Sequence, residues 1–277
     1  MQIGKVLNNS KPDRFLKPVR FIILFFFLFL FNNAFANDSI VIGQASKYVI
    51  TDKLGQVYIV NTADELVKYN AQGQQQFIYF DRTLGEISYI DATNPFQVLV
   101  FFEDFQTVVW LDRTLNPMST MNLSDFGFFQ LNTIAVASDN RLWIYDNTTF
   151  QIKKIDNQGE VIVESMELNN LTTNLNPNFI IEKNNRIYLN NPITGIYVFD
   201  IFGQYIETIP ILNLTTFQII DGQLWYQNKT EFNSYHFKTL QTEIIDLPFR
   251  IEAKQTVFKQ KNNWFWVKGE EVVIVEK

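Results

Sequence analysis

The stretch "DNRLWIYDNTTFQIKKIDNQGE", residues 139–160, decides the fold because its parts return elsewhere in the chain. The stretches "NNRIYLNNPITGIYVFDIFGQ" at 184–204 and "DGQLWYQNKTEFNSYHFK" at 221–238 keep the same order of a polar start, an apolar strand, a polar loop and a second strand. Repetition of one short unit is typical of architectures in which each unit buries its apolar face against its neighbours.

The leading strand of this unit occurs six times. The copies are QVYIV from Gln56, QVLVF from Gln97, RLWIY from Arg141, RIYLN from Arg186, QLWYQ from Gln223 and NWFWV from Asn263. Their second residues are separated by 41, 44, 45, 37 and 40 positions. Short strands and turn residues that recur with a period of about 40 residues are typical of the blades of a β-propeller.

A second strand follows each copy and ends, in most of them, with an acidic or amide residue. The closing residues are Asn70, Asp112, Asp156, Asp200, Lys238 and Glu276. A glycine lies three positions after Asn70, Asp156 and Asp200, and this spacing is typical of a tight β-turn. With an apolar segment before the leading strand and another strand after the turn, each unit is predicted to be a four-stranded antiparallel blade.

The sixth unit lacks its fourth strand, because the chain ends at Lys277. The apolar segment SIVIG, residues 39–43, precedes the first blade and has no partner there. We expect Ile40 to Ile42 to pair with Val272 to Val275, since this would cover a long apolar edge and close the ring.

In blade number and repeat length, residues 39–277 resemble the broad class of six-bladed β-propellers that includes NHL-type and YVTN-type repeat proteins. The resemblance implies an all-β fold, a six-bladed β-propeller of four-stranded antiparallel blades whose ring is closed by an N-terminal strand. Some members of this class are enzymes, which hold a calcium ion on carboxylates in the central channel or depend on a histidine.

The first 36 residues are predicted to be a signal peptide, and residues 37–277 the propeller. Five basic residues precede an apolar run of 11 residues from Phe21 to Phe31, and Ala34 and Ala36 provide the small residues of a cleavage site. The run is shorter than the roughly 20 residues of a membrane-spanning helix. We therefore expect an exported protein, in the periplasm or associated with the outer membrane, with retention of the leader as an anchor as the alternative.

The composition excludes several functions. The chain contains no cysteine, so it has no disulfide, no thiolate nucleophile and no Cys-ligated zinc. Its net charge is −6 with the basic leader included, and it has no cluster of Lys and Arg, so nucleic acid is not expected as a partner. No membrane span is expected after cleavage of the signal peptide. No cofactor is expected.

Candidate catalytic residues are few. His236 is the one histidine of the chain and occupies an ordinary strand position, with no second group to orient it. Asp112, Asp156 and Asp200 recur at the start of hairpin turns, which predicts a turn-forming role and not a ring of metal ligands. We therefore expect that the protein is not an enzyme and has no catalytic residue or metal site.

The loop SDFGFFQLN, residues 124–132, is rich in aromatic residues. Phe126, Phe128 and Phe129 are candidates for binding a protein partner if they are exposed, and for filling the space between blades two and three if they are buried.

From these patterns we expect a non-catalytic exported β-propeller that acts as a protein-binding or scaffold subunit, with a protein partner in an envelope complex. One alternative is a metal-assisted hydrolase or lyase with its site in the propeller channel. Another is a carbohydrate-binding module, although the five tryptophans lie mainly within strands.

Overall fold

Six four-stranded sheets make up the part of the chain that the computed structural model describes, which is Met1 and residues 39–276. Neighbouring strands within each sheet are antiparallel. The structure therefore confirms the six-bladed β-propeller. Apart from Met1, the predicted signal peptide lies outside the described residues.

The chain enters the fold through β1 (Ser39–Gly43). Blade 1 then contains β2 (Ser46–Thr51), β3 (Val57–Asn61), β4 (Leu66–Tyr69) and β5 (Gln75–Tyr79). Blade 2 contains β6 (Tyr89–Asp91), β7 (Val98–Phe102), β8 (Thr107–Leu111) and β9 (Pro117–Asn122). Blade 3 contains β10 (Leu131–Val136), β11 (Leu142–Asp146), β12 (Gln151–Ile155) and β13 (Val161–Glu164).

Blade 4 contains β14 (Phe179–Lys183), β15 (Arg186–Asn191), β16 (Gly195–Asp200) and β17 (Tyr205–Ile209). Blade 5 contains β18 (Gln218–Ile220), β19 (Gln223–Asn228), β20 (Glu231–His236) and β21 (Gln241–Ile244). Blade 6 contains β22 (Thr256–Gln260), β23 (Asn263–Lys268) and β24 (Glu271–Glu276). Two short 3-10 helices lie in the loops after blades 2 and 3, at Leu123–Phe126 and Leu168–Asn170.

The two middle strands of a blade form its core. Every residue of β7 and β8 is buried, because neighbouring blades cover both faces of these strands. This is why the leading strands of the repeat are continuous apolar runs and do not alternate. The fourth strand, such as β9, is mostly exposed and carries polar residues.

The turn between the third and fourth strands follows the predicted pattern. The side chains of Asn70, Asp156 and Asp200 each accept hydrogen bonds from the backbone N–H groups two and four residues later. Asp112 makes the same turn, with Leu115 at φ 62° where the other copies have glycine. The aspartate bonds therefore maintain the turn even without glycine.

The ring closes as the sequence predicts. In the register of β1 and β24, Ile40 lies opposite Ile274 and Ile42 lies opposite Val272. Ile42 is 3% exposed and packs among the core residues shared by blades 6 and 1, whereas Val41 is 52% exposed. Residues Ser39–Gly43 therefore supply the missing fourth strand of blade 6.

Candidate functional site

A cavity of about 710 Å³ lies where the innermost strands of the propeller converge. Residues of the first strands of blades 1, 2, 4, 5 and 6 line it, together with the loops that precede β18 and β22. Pockets that bind small molecules in proteins are of similar volume, roughly 300–1,000 Å³. The centre of the ring is therefore the candidate functional site.

Aromatic side chains form much of the cavity wall. They are Tyr48, Tyr89, Phe179, Phe217, Trp225, Tyr226, Phe232 and Phe258. The rings of Tyr48 and Tyr89, on neighbouring blades, are 6.3 Å apart between centroids. Phe179 and Phe217 meet edge to face with centroids 5.1 Å apart. Such a wall offers apolar and stacking contacts to an organic ligand.

Tyr48 and Tyr89 also provide polar groups. Neither hydroxyl makes a hydrogen bond with another residue in the described part of the chain. Burial, and secondly the negative charge of Asp91, raises the pKa of both tyrosines above the ordinary value of 10.0. Both hydroxyls therefore stay protonated at neutral pH and can donate to a ligand.

Asp91 is the one carboxylate among the residues that line the cavity. Its Oδ1 accepts from the N–H of Thr93 at 2.8 Å, and its Oδ2 accepts from the N–H of Val136 at 3.1 Å. The side chain is buried and joins blade 2 to blade 3. These bonds explain Asp91 as a structural residue.

Two glutamine side chains fix the wall between blades 5 and 6. Gln218 donates to the carbonyl oxygen of Lys259 and accepts from its N–H, both at 2.8 Å. Gln227 donates to the carbonyl oxygen of Gln255 at 2.7 Å and accepts from the N–H of Val257 at 2.8 Å. Because these amides satisfy backbone groups of β22 and of the loop before it, this side of the cavity is held in place without a ligand.

The structure places the three predicted partner-binding phenylalanines differently. Phe128 is 6% exposed and packs in the core between blades 2 and 3, whereas Phe126 is 41% and Phe129 is 64% exposed. Phe126 ends a 3-10 helix and lies against Gly159 in the next blade. None of the three lines the central cavity. Their role in binding a partner stays a prediction.

The other polar candidates lie in turns. Nδ1 of His236 accepts from the backbone N–H groups of Lys238 and Thr239, at 3.2 and 3.3 Å, at the end of β20. Asp112, Asp156 and Asp200 close hairpins in three different blades. Within residues 39–276, no group of three or more His, Cys, Asp or Glu side chains could hold a metal ion.

The lining of the cavity is not evident from the sequence. The apolar segments before two of the leading strands, YVI at 48 and ISYI at 87, each contain a tyrosine, but nothing local indicates that the two tyrosines face a common space. The one local signal for the cavity is that the first strands of two successive blades each contain a tyrosine, Tyr48 in β2 and Tyr89 in β6. It becomes meaningful only when the ring places the two side by side.

Comparison with known proteins supports the fold and does not identify a family. No family model matches the chain, and no curated protein matches it. The solved structures that resemble it include a streptogramin B lyase, with 15% sequence identity, a TM-score of 0.57 and coverage of 82% of this chain and 78% of the lyase. A catalytically inactive virginiamycin B lyase from Staphylococcus aureus, solved with Quinupristin, has 10% identity, a TM-score of 0.60 and coverage of 87% and 96%.

The extracellular domain of a hybrid two-component system from B. thetaiotaomicron is also similar, with 13% identity, a TM-score of 0.56 and coverage of 82% of this chain and 33% of that protein. At these identities the likeness shows the propeller fold alone. No helix among the described residues is long and apolar enough to cross a membrane.

The comparisons correct one prediction. A non-catalytic protein-binding or scaffold subunit was expected because a propeller without reactive groups suits that role, but propellers of similar structure include a lyase. The prediction of a non-catalytic scaffold role is therefore wrong, because this fold is shared with an enzyme. Function has to be argued from the cavity.

Proposed function

We propose that this protein is an exported β-propeller that binds a small organic molecule in its central cavity. The observation that carries the proposal is the cavity of about 710 Å³ with its aromatic wall. Its volume suits a ligand of the size of a drug or a cofactor, and such sites combine apolar walls with a few polar groups. The hydroxyls of Tyr48 and Tyr89 are polar groups of this kind.

The rigidity of the wall also supports binding. The bonds of Gln218 and Gln227 hold blade 6 against blade 5, and those of Asp91 hold blade 3 against blade 2. A site that is formed before the ligand arrives loses less conformational entropy on binding.

A neutral fluorescent dye, N-phenyl-1-naphthylamine, tests the proposal. We expect saturable binding with enhanced fluorescence, because the dye leaves water for an apolar cavity. Thr216→Trp places a large ring at the cavity lining and should weaken binding at least about tenfold, or about 1.4 kcal/mol. Thr242→Trp is the matched control, since Thr242 is exposed on β21 away from the cavity. Equal binding by both variants would refute the cavity as the site.

The expectation that the protein is not an enzyme stays a prediction. It is tested by incubating the purified protein with any ligand that copurifies and analysing the mixture by mass spectrometry. Recovery of the ligand unchanged is the expected result, and a time-dependent new product would contradict it.

Location in the periplasm or at the outer membrane is part of the proposal, and the leader is its support. Cleavage after Ala36 should give a mature protein that begins at Asn37. N-terminal sequencing of the protein from the cell envelope tests this, and a retained leader would favour an anchor.

A further inference from the structure

Two loops that each carry a lysine lie close together at the cavity. Lys229 lies in the turn between β19 and β20, and Lys254 lies in the loop before β22, and both line the cavity. Nε2 of Gln227 donates to the carbonyl oxygen of Lys229 at 2.8 Å and to that of Gln255 at 2.7 Å. Because one nitrogen bonds both loops, the backbones that carry the two lysines are adjacent.

Neither of these two lysines takes part in an ion pair with another of the described residues. The third lysine of the cavity, Lys47, differs, because it pairs with Asp64 at 2.8 Å and with Glu86 at 3.2 Å. Lys229 and Lys254 therefore have ammonium groups available to a ligand.

The end of the cavity at Lys229 and Lys254 has a charge opposite to that of the whole chain, whose net charge is −6. The other charged lining residues are Lys47, which is paired with Asp64 and Glu86, and Asp91. Both carboxylate oxygens of Asp91 already accept backbone hydrogen bonds. A local positive potential on an acidic protein favours anionic ligands over cationic ones.

The aromatic part of the cavity also contains hydroxyl groups that can donate hydrogen bonds. The side-chain amides of Gln218 and Gln227 have both their oxygen and their nitrogen bonded to the backbone. The hydroxyls of Tyr48 and Tyr89 remain protonated and without a protein partner in the described chain. A ligand rich in acceptor oxygens fits these groups.

We infer that the ligand of the central cavity is a small organic anion, an aromatic or apolar body that carries a carboxylate or a similar acidic group. The body lies among the rings of Tyr48, Tyr89 and Phe258, and the anionic group lies near Lys229 and Lys254. This inference rests on the proposed function, since it names the class of molecule that the same cavity takes.

Three compounds that share a naphthalene ring but differ in charge separate the effect of ligand charge from that of ligand shape. They are 2-naphthoate, 2-naphthamide and 2-naphthylmethylammonium, with affinity measured by isothermal titration calorimetry at low and at physiological ionic strength. We expect the acid to bind most tightly and the amine most weakly, with the preference for the acid reduced by salt. Binding of the amine as tightly as the acid would overturn the inference. Failure of all three and of the neutral dye would overturn the proposed function as well.

Substitutions of the two lysines test where the anionic group of the ligand binds. K229Q and K254Q should each weaken binding of 2-naphthoate about two- to fivefold, as expected for partly solvated ion pairs, and leave 2-naphthamide unchanged. K261Q is the matched control, because Lys261 is an exposed turn residue with φ 54°, close to the 55° of Lys229, and it does not line the cavity. The inference is wrong if K261Q lowers the affinity as much as K229Q and K254Q do. Circular dichroism confirms that each variant is folded.

Discussion

At the scale of single residues, polar side chains join one blade to the next. Gln106, in the turn between β7 and β8, donates to the carbonyl oxygen of Leu131 at 2.9 Å and accepts from its N–H at 2.8 Å. Leu131 begins the first strand of the following blade, and both residues are buried. One amide therefore satisfies two backbone groups that are shielded from solvent.

Replacement of Gln106 by methionine tests this bond. Methionine keeps the length of the side chain but leaves the N–H and C=O of Leu131 unsatisfied, so we expect a loss of about 2–4 kcal/mol in the free energy of unfolding. Urea denaturation measures it. Gln241→Met, at an exposed position on β21, should change stability by less than about 0.5 kcal/mol. Equal effects would show that the Gln106 bonds contribute nothing measurable.

The half-buried Tyr48 and Tyr89 predict a dependence of stability on alkaline pH. Burial raises the pKa of Tyr48 and Tyr89 above 10.0, so above that pH the unfolded chain loses protons that the folded chain keeps. Stability should therefore fall as pH rises above about 10, by up to about 1.4 kcal/mol per pH unit for each tyrosine. Tyr89→Phe should reduce the slope, and an unchanged slope in this variant would contradict the assignment.

At the scale of elements, the turn of one blade packs on the end of the preceding blade. Gly159, with φ 76°, lies in the turn between β12 and β13 of blade 3, and its α-carbon faces the ring of Phe126 after blade 2. A Cβ at this position would overlap with that ring. Glycine is therefore needed at position 159 for two reasons, the left-handed backbone conformation and the close contact between blades.

Gly159→Ala and Gly222→Ala separate these two requirements. Gly222 has φ 74° with nothing within 4 Å of an added Cβ, so its substitution should cost only the backbone penalty of about 1–2 kcal/mol. Gly159→Ala should cost at least about 1 kcal/mol more, because the Phe126 ring has to move. Thermal unfolding measures the difference, and it should shrink when both glycine variants are made in a Phe126→Ala background. Identical costs for the two glycines would refute the packing role of Phe126.

At the scale of the whole molecule, β1 determines whether the propeller is a closed ring. The strand adds the outer edge of blade 6 and brings Ile42 into the core between blades 6 and 1. Gly73, in the turn between β4 and β5 of blade 1, packs closely against Ile40 and Ile42 of β1. Blades 6 and 1 therefore both depend on residues of β1.

Two substitutions within β1 test the closure. Ile42→Ala removes a buried side chain and should destabilise the protein by about 2–4 kcal/mol. Val41→Ala, at the adjacent exposed position of the same strand, should change stability by less than about 0.5 kcal/mol. Chemical denaturation measures both. Similar small effects would contradict a stabilising role for the burial of Ile42 between blades 6 and 1.

Much of the fold could be predicted from the sequence because the relevant signals are local. The repeat at Val57, Val98, Leu142 and the later copies fixed the number of blades, and the turn residues at Asn70, Asp156 and Asp200 fixed the hairpins. The spare segment at residues 39–43 indicated the closure, since a single apolar strand matched a single missing one. Leu115 in a left-handed turn shows the limit of the pattern, because three aspartate hydrogen bonds there replace the expected glycine.

The candidate site depended on the tertiary structure. By itself the sequence determined the six blades, their order and the strand that closes the ring, because strand periodicity and turn chemistry act over a few residues. Only the tertiary structure decided that Phe128 is buried while Phe129 is exposed, and that Tyr48, Tyr89, Lys229 and Lys254 line one cavity. Residues from five blades meet there because the ring brings their first strands together. A local sequence pattern cannot predict proximity between residues as far apart in the chain as Tyr48 and Lys254, which are separated by 206 positions.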